Sequence, residues 1–202
     1  MPSSSSSGST KKDVSPTQRK VQTETNTSIS EQNKPDLKKT TTEDRMIVKS
    51  KAFRNGGRIP AEYANKGVPG GKNISIPVEW GDIDGKNHEI NSYALSIIDR
   101  SGHDWVHWIV LDIPAFTTGL EEGASGRNMP NGARELMNTF GVKGYGGPQP
   151  PAGSGDHIYE VTVYGLDVST VDLDGEPSYK EFLQAIDGNV IDQAKTSGVL
   201  SR

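Results

Sequence analysis

Residues 105–113 read Trp-Val-His-Trp-Ile-Val-Leu-Asp-Ile, a run that is apolar apart from His107 and Asp112. With no polar face to give to water, such a segment must be covered on both sides, which predicts a strand in the middle of a sheet. Its surroundings have the same texture. Tyr93, Leu95 and Ile97 alternate with Ser92, Ala94 and Ser96, giving a heavy and a light face. Residues 158–166 form a third strand-like run with Tyr159, Val161 and Val163 on one side. Gly, Pro, Asn and Asp punctuate these runs, and the sum is a mainly β chain, an antiparallel β-sandwich.

Two departures from the β pattern fall near the C-terminus. Ser178 followed by Glu181 is a capping box, and Phe182, Leu183 and Ile186 then recur at helical spacing before Gly188. A second short helix is expected from Val190 to Lys195, stopped by Ser197-Gly198. The fold class is therefore a sandwich with short C-terminal helices.

The first part of the chain reads otherwise. Residues 1–45 are dominated by Ser, Thr, Lys, Asp, Glu, Gln and Asn, and the first aromatic is Phe53. A stretch so poor in apolar groups does not offset the entropy of ordering itself, so residues 1–45 are expected to be a disordered polar tail and 46–202 the folded domain. The tail holds eight Lys/Arg against six Asp/Glu, which leaves the domain at about −6 within a total of −4. An acidic domain argues against a nucleic-acid partner, which needs a basic footprint. Neither a secretory leader nor an apolar run of membrane-spanning length is recognisable, so the expected location is cytoplasmic, with no integral membrane segment. Cysteine is absent, excluding disulfides and thiolate metal sites.

Three polar residues stand where the pattern favours something else. Asp99 ends the strand that begins near Asn91, His107 interrupts the apolar run, and His157 opens the next strand after a Gly/Pro-rich loop. Strand ends and loops converge at the rims of sandwiches, so a shared pocket is geometrically reasonable. The loop begins Gly144-Tyr-Gly-Gly-Pro-Gln-Pro-Pro-Ala-Gly. Glycines let backbone N–H groups approach an anion, while Pro148, Pro150 and Pro151 stiffen the chain, so loop and imidazoles together suggest a cradle for phosphate oxygens. If the imidazoles donate to the anion, affinity falls as pH rises through about 6.5. Two histidines and a carboxylate are also the ligand set of a non-haem iron site.

The ordered strings Ile98-Asp-Arg-Ser-Gly, Trp105-Val-His-Trp-Ile-Val-Leu-Asp-Ile-Pro114, the Gly144 loop and His157-Ile-Tyr159 resemble the phosphatidylethanolamine-binding protein family, in particular its prokaryotic Raf kinase inhibitor-like branch. The resemblance runs from about Lys49 to Arg202. It implies a sandwich with an anion pocket at one end, partly closed by the C-terminal segment. By position it assigns the pocket carboxylate to Asp99, the pocket histidines to His107 and His157, and further pocket-wall positions to Gly147, Pro148 and Tyr159. It also implies that these positions hold no metal. The chain departs from the family pattern at Arg100-Ser101, where Pro and a second acid are usual, at Ile158 for Arg, and at Gln149 for Cys.

The expected function is that of a binding protein rather than an enzyme, holding a small phosphate-bearing or carboxylate anion of the phosphorylated head-group class. The alternative is a protein-interaction regulator that inhibits a kinase or protease partner, and a phosphoester hydrolase built on Asp99 and His107 ranks below both. Ser154 lies in Ala-Gly-Ser-Gly, which lacks the Gly-x-Ser-x-Gly spacing of a nucleophile elbow, and no phosphate-binding Walker loop is present. No cofactor is implied.

Overall fold

In a computed structural model, residues 46–82 and 89–202 are described. The tail at 1–45 and His88 lie outside the described residues.

The centre of the fold is built from the three apolar runs. Strand β4 (Ser92–Asp99) lies between β5 (Trp105–Pro114) and β8 (His157–Leu166), antiparallel to both. Outward from them come β7 (Arg134–Glu135) beside β5, β9 (Val190–Leu200) beside β8, and β2 (Gly57–Arg58) beside β9. The β2–β9 pair is parallel, an exception to the antiparallel pattern. A second, antiparallel sheet is formed by β1 (Met46–Lys49), β3 (Val78–Asp82) and β6 (Gly119–Leu120). The sandwich expected from the sequence is thus present as one six-stranded and one three-stranded sheet.

Each face of the large sheet has its own core. Leu95, Ile97, Trp108, Val110, Tyr159, Val161 and Val163 pack with Val78, Trp80 and Leu120 of the small sheet. The opposite face is covered by α1 (Tyr179–Ile186), whose Tyr179, Phe182 and Ile186 meet Ala94, Ile98, Ile109, Leu111, Tyr164 and Leu166. The light face of β4 thereby finds its reason, since a small residue such as Ala94 leaves room for the rings of the helix. The capping box is formed: Ser178 Oγ accepts from Glu181 N–H at 3.2 Å, and the Glu181 carboxylate accepts from Ser178 N–H at 2.8 Å. Ser178→Ala is expected to lower stability by about 1 kcal/mol, read as a lower urea midpoint at unchanged slope.

The second helix expected at 190–195 is not formed. Those residues belong to β9, which pairs with β8 from Leu166↔Val190 to His157↔Leu200. Short-range pattern misled here, because the apolar residues of 190–195 fit one helical turn. Beyond Asp192, however, burial alternates residue by residue, and β8 needs a hydrogen-bonding partner along its outer edge. Among the described residues α1 is therefore the only α-helix. No helix of the described residues is long and apolar enough to cross a membrane.

Candidate functional site

One end of the large sheet gathers the polar residues singled out in the sequence. Asp99 closes β4 and His157 opens β8. The antiparallel register sets Asp99 opposite Tyr159, which brings the carboxylate and the imidazole together. Asp99 Oδ2 accepts from His157 Nδ1–H at 2.6 Å. Its Oδ1 accepts from the backbone N–H of Ser101 and Gly102, at 2.9 and 3.0 Å, in the turn that follows the strand. Both carboxylate oxygens are thus occupied, and Asp99 is buried.

His107 reaches the same place through a fault in strand register. Ile97 pairs with Trp108 but Ile98 pairs with Val106, so β5 carries one residue more than β4 at this point, and that residue is His107. A bulge of this kind re-aims a side chain that regular alternation would send elsewhere. The imidazole meets Tyr159 edge-on at 5.2 Å between centroids, and Phe140 at 5.5 Å on another side. Its Nδ1 lies 2.6 Å from the Gly146 carbonyl, which only accepts, so Nδ1 carries the proton. Burial pushes the His107 pKa down to about 4, against the opposing pull of the Gly146 carbonyl and the Asp99 charge. His107 is neutral near neutrality, with Nε2 as an acceptor. The expected loss of affinity through pH 6.5 accordingly does not have His107 as its source.

Tyr159 completes the group. Its ring is fully buried, and its hydroxyl has no well-formed hydrogen bond. Burial above all, and then the negative charge of Asp99, drive the phenol pKa upward. The hydroxyl stands beside the carboxylate, and a weak hydrogen bond toward Asp99 adds to the upward push without reaching the geometry of a well-formed one. A buried, poorly partnered donor of this kind is rare in folded proteins and calls for an acceptor.

The Gly/Pro loop does something other than its composition suggested. The N–H of Gly144 donates to Leu136 O, that of Tyr145 to Ser125 Oγ, that of Gly146 to His107 O and that of Gly147 to Asn73 Oδ1. The backbone donors of residues 144–147 are therefore committed within the protein. Gly147 is a glycine for a different reason: a Cβ there would run into Tyr63 O and the backbone of Ala64 and Asn65. Pro148 is buried next to it, and its carbonyl accepts from Asn65 N–H at 3.0 Å. Gly147 and Pro148 are a packed wall behind the site, and the loop acts on it through the Gly146 carbonyl that holds His107.

Other residues belong to the site without having been singled out for it. Asn73, in the left-handed region at φ 57°, spans the loop by accepting from Gly147 N–H at 2.6 Å and donating to Tyr145 O at 3.4 Å. Asn is among the residues that tolerate this conformation, but nothing local in the sequence tells which loop it will hold. Ser154 Oγ lies 3.0 Å from His157 Nε2, a Ser-x-x-His contact made possible by the turn between Pro151 and His157. Arg100, which replaces the usual Pro, turns away from the site: it pairs with Asp104 at 2.8 Å and Glu160 at 3.5 Å and lies over the Tyr179 ring. Among the described residues, no group of three or more His, Cys, Asp or Glu is placed to hold a metal ion.

The C-terminal segment reaches this rim as the end of β9. Leu200 is paired with His157, and Arg202 O accepts from Gly153 N–H at 3.1 Å.

The model of the phosphatidylethanolamine-binding protein family matches residues 49–201, almost the whole described region. The chain belongs to that family. A UPF0098 protein of the archaeon Methanothermobacter thermautotrophicus is 38% identical over 161 residues, covering 78% of this chain and 99% of its own length. The UPF0098 protein YbhB of Escherichia coli is 34% identical over 131 residues, 62% of this chain and 80% of that protein. Among solved structures, Escherichia coli YbcL, described as a member of the mammalian family, superposes with a TM-score of 0.71 at 28% identity, covering 78% of this chain and 99% of its own. A homologue from Chlamydia trachomatis gives 0.65 at 30% identity, covering 78% and 98%. These relatives place the chain in the prokaryotic YbhB/YbcL branch, and membership of the phosphatidylethanolamine-binding family carries with it an anion-binding pocket fold.

Proposed function

We propose that this phosphatidylethanolamine-binding family member holds a small phosphate-bearing or carboxylate anion at the rim formed by Asp99, His107, His157 and Tyr159. The observation that carries the reading is the Tyr159 hydroxyl, buried without a well-formed hydrogen bond beside the His107 ring and the Asp99 carboxylate that holds His157. With the N–H groups of residues 144–147 already committed, recognition at this rim falls to side chains. Tyr159 Oη donates; His157, held by Asp99 through Nδ1, presents Nε2 once the ligand displaces its contact with Ser154 Oγ; and His107 Nε2, unprotonated, accepts from a ligand P–OH. A phosphate that carries hydroxyl as well as acceptor oxygens fits this set better than a fully ionised one.

The cleanest variant removes one oxygen. Tyr159→Phe deletes a hydroxyl that has no well-formed hydrogen bond in the protein, so stability should change little while affinity falls by about ten- to a hundredfold, the range for a hydrogen bond to a charged group. Calorimetry with inorganic phosphate and with phosphoethanolamine reads this directly. Heats absent between pH 5 and 8, or equal affinity in Tyr159→Phe and wild type, would overturn the proposal.

A further inference from the structure

We propose that Ser154, His157 and Asp99 form a nucleophile, base and orienting carboxylate, and that the chain acylates on Ser154 and slowly hydrolyses activated carboxylic esters. The inference does not rest on the anion-binding reading. It comes from two consecutive contacts: Ser154 Oγ lies 3.0 Å from His157 Nε2, and His157 Nδ1 lies 2.6 Å from Asp99 Oδ2. Such a constellation is recognised by geometry and roles and recurs on unrelated folds in any chain order. The absence of a Gly-x-Ser-x-Gly elbow therefore does not decide the matter.

The protonation states follow from the partners. Asp99 accepts from two backbone N–H groups and from the imidazole, which fixes a proton of His157 on Nδ1. Nε2 is then left with its lone pair facing the Ser154 hydroxyl. That hydroxyl also lies 2.7 Å from Pro151 O, and rotation about Cβ–Oγ moves its one proton between the two acceptors.

The turn that presents the serine is exposed but anchored. Gly153 N–H donates to Arg202 O at 3.1 Å, and Arg58 holds Asp156 at 2.7 Å and Ser201 at 2.8 Å. Gly153 and Gly155 flank Ser154 at φ 78° and 84°, conformations that project the serine from a sharp bend. The N–H of Gly155, one residue after the nucleophile, has no acceptor among the described residues. That is the position from which an oxyanion donor is supplied in other serine hydrolases. A single such donor stabilises a tetrahedral intermediate weakly, which limits the substrates to esters with a good leaving group, such as short-chain aryl esters.

In the first step Ser154 Oγ bonds to the ester carbonyl carbon while its proton passes to His157 Nε2. The carbon–oxygen bond to the leaving phenolate then breaks, and the phenolate takes that proton. In the second step water attacks the acyl-serine, His157 accepts its proton and returns it to Ser154 Oγ, and the carboxylic acid leaves. Asp99 is a positioning residue throughout.

The test uses the full chain and two probes. With a fluorophosphonate, Ser154 Oγ forms the new phosphorus–oxygen bond as fluoride leaves. Peptide mass spectrometry should find the label on Ser154, none at that peptide in Ser154→Ala, and at least a hundredfold slower labelling in His157→Gln. With p-nitrophenyl acetate, Asp99→Asn keeps Oδ1 for the turn and should lower kcat at least tenfold at unchanged KM. An unlabelled Ser154 under excess probe, or labelling equally fast in His157→Gln, overturns the proposal. An unchanged kcat in Asp99→Asn overturns the role given to Asp99. Ser154 is exposed, so Ser154→Ala remains a sound control even should the histidine variant fold poorly.

Discussion

Acidification from pH 6.5 to about 4 should remove about 3 kcal/mol of folding stability through His107 alone. In the unfolded chain this imidazole takes a proton near its ordinary value of 6.5, whereas in the fold burial holds it down to about 4. Between those values the unfolded state binds a proton that the native state refuses, so falling pH favours unfolding. The stabilisation is complete above 6.5, declines through the window and is gone below about 4. For a domain whose total stability is on the order of 5–15 kcal/mol, the loss is large. Other groups titrate in the same range, and a variant separates them. In His107→Gln the native protein no longer shelters a titratable ring at this position, so its stability should fall less steeply from pH 6.5 to 4.5. Urea unfolding of both proteins at several pH values measures the difference; parallel curves would show that the bulged imidazole is not held neutral.

Asp99→Ala should be the most damaging single change at the site, lowering stability by about 3–5 kcal/mol. Three donors lose their acceptor at once: His157 Nδ1–H and the N–H groups of Ser101 and Gly102. The imidazole and the carboxylate are both largely buried, with side-chain exposures of 12% and 7%, so water replaces the missing oxygens poorly. Asp99→Asn retains an oxygen for the turn and should cost less, and the gap between the two variants separates the turn from the histidine contact. Denaturant titration gives both numbers. An alanine variant within about 1 kcal/mol of wild type would mean that the carboxylate is not what holds this corner together.

Legibility in the sequence followed interaction range. Strands β4, β5 and β8 could be read because their apolar runs are continuous over a strand's length and are bounded by turn residues. The capping box at Ser178 could be read because all its partners lie within one helical turn. Val190–Lys195 could not, since its state depends on β8, a partner distant in sequence whose edge has to be covered. At the site, Asp99, His107 and His157 were visible as polar residues out of place, and family resemblance added Gly147, Pro148 and Tyr159. What the residues alone did not reveal was connectivity. The glycine loop looked like a source of free N–H donors, yet Asn73, Ser125 and the carbonyls of Leu136 and His107 claim those of residues 144–147. Arg100 stood out as a departure from the family pattern next to Asp99, yet Asp104, Glu160 and Tyr179 draw it to the other face of the sheet. Ser154 was weighed against a sequence spacing, whereas its neighbour is set by the bend of a turn.

The extra residue in β5 has a consequence for how this surface can diversify. Because His107 is delivered by a mismatch in counting between two strands, its address is written in the backbone and not in the side chain. Many different groups could be installed at that position without disturbing the pairing on either side. Losing that residue from the strand, by contrast, would restore even pairing between Ile97 and Asp99 and withdraw the whole position from the rim, whatever side chain it bore.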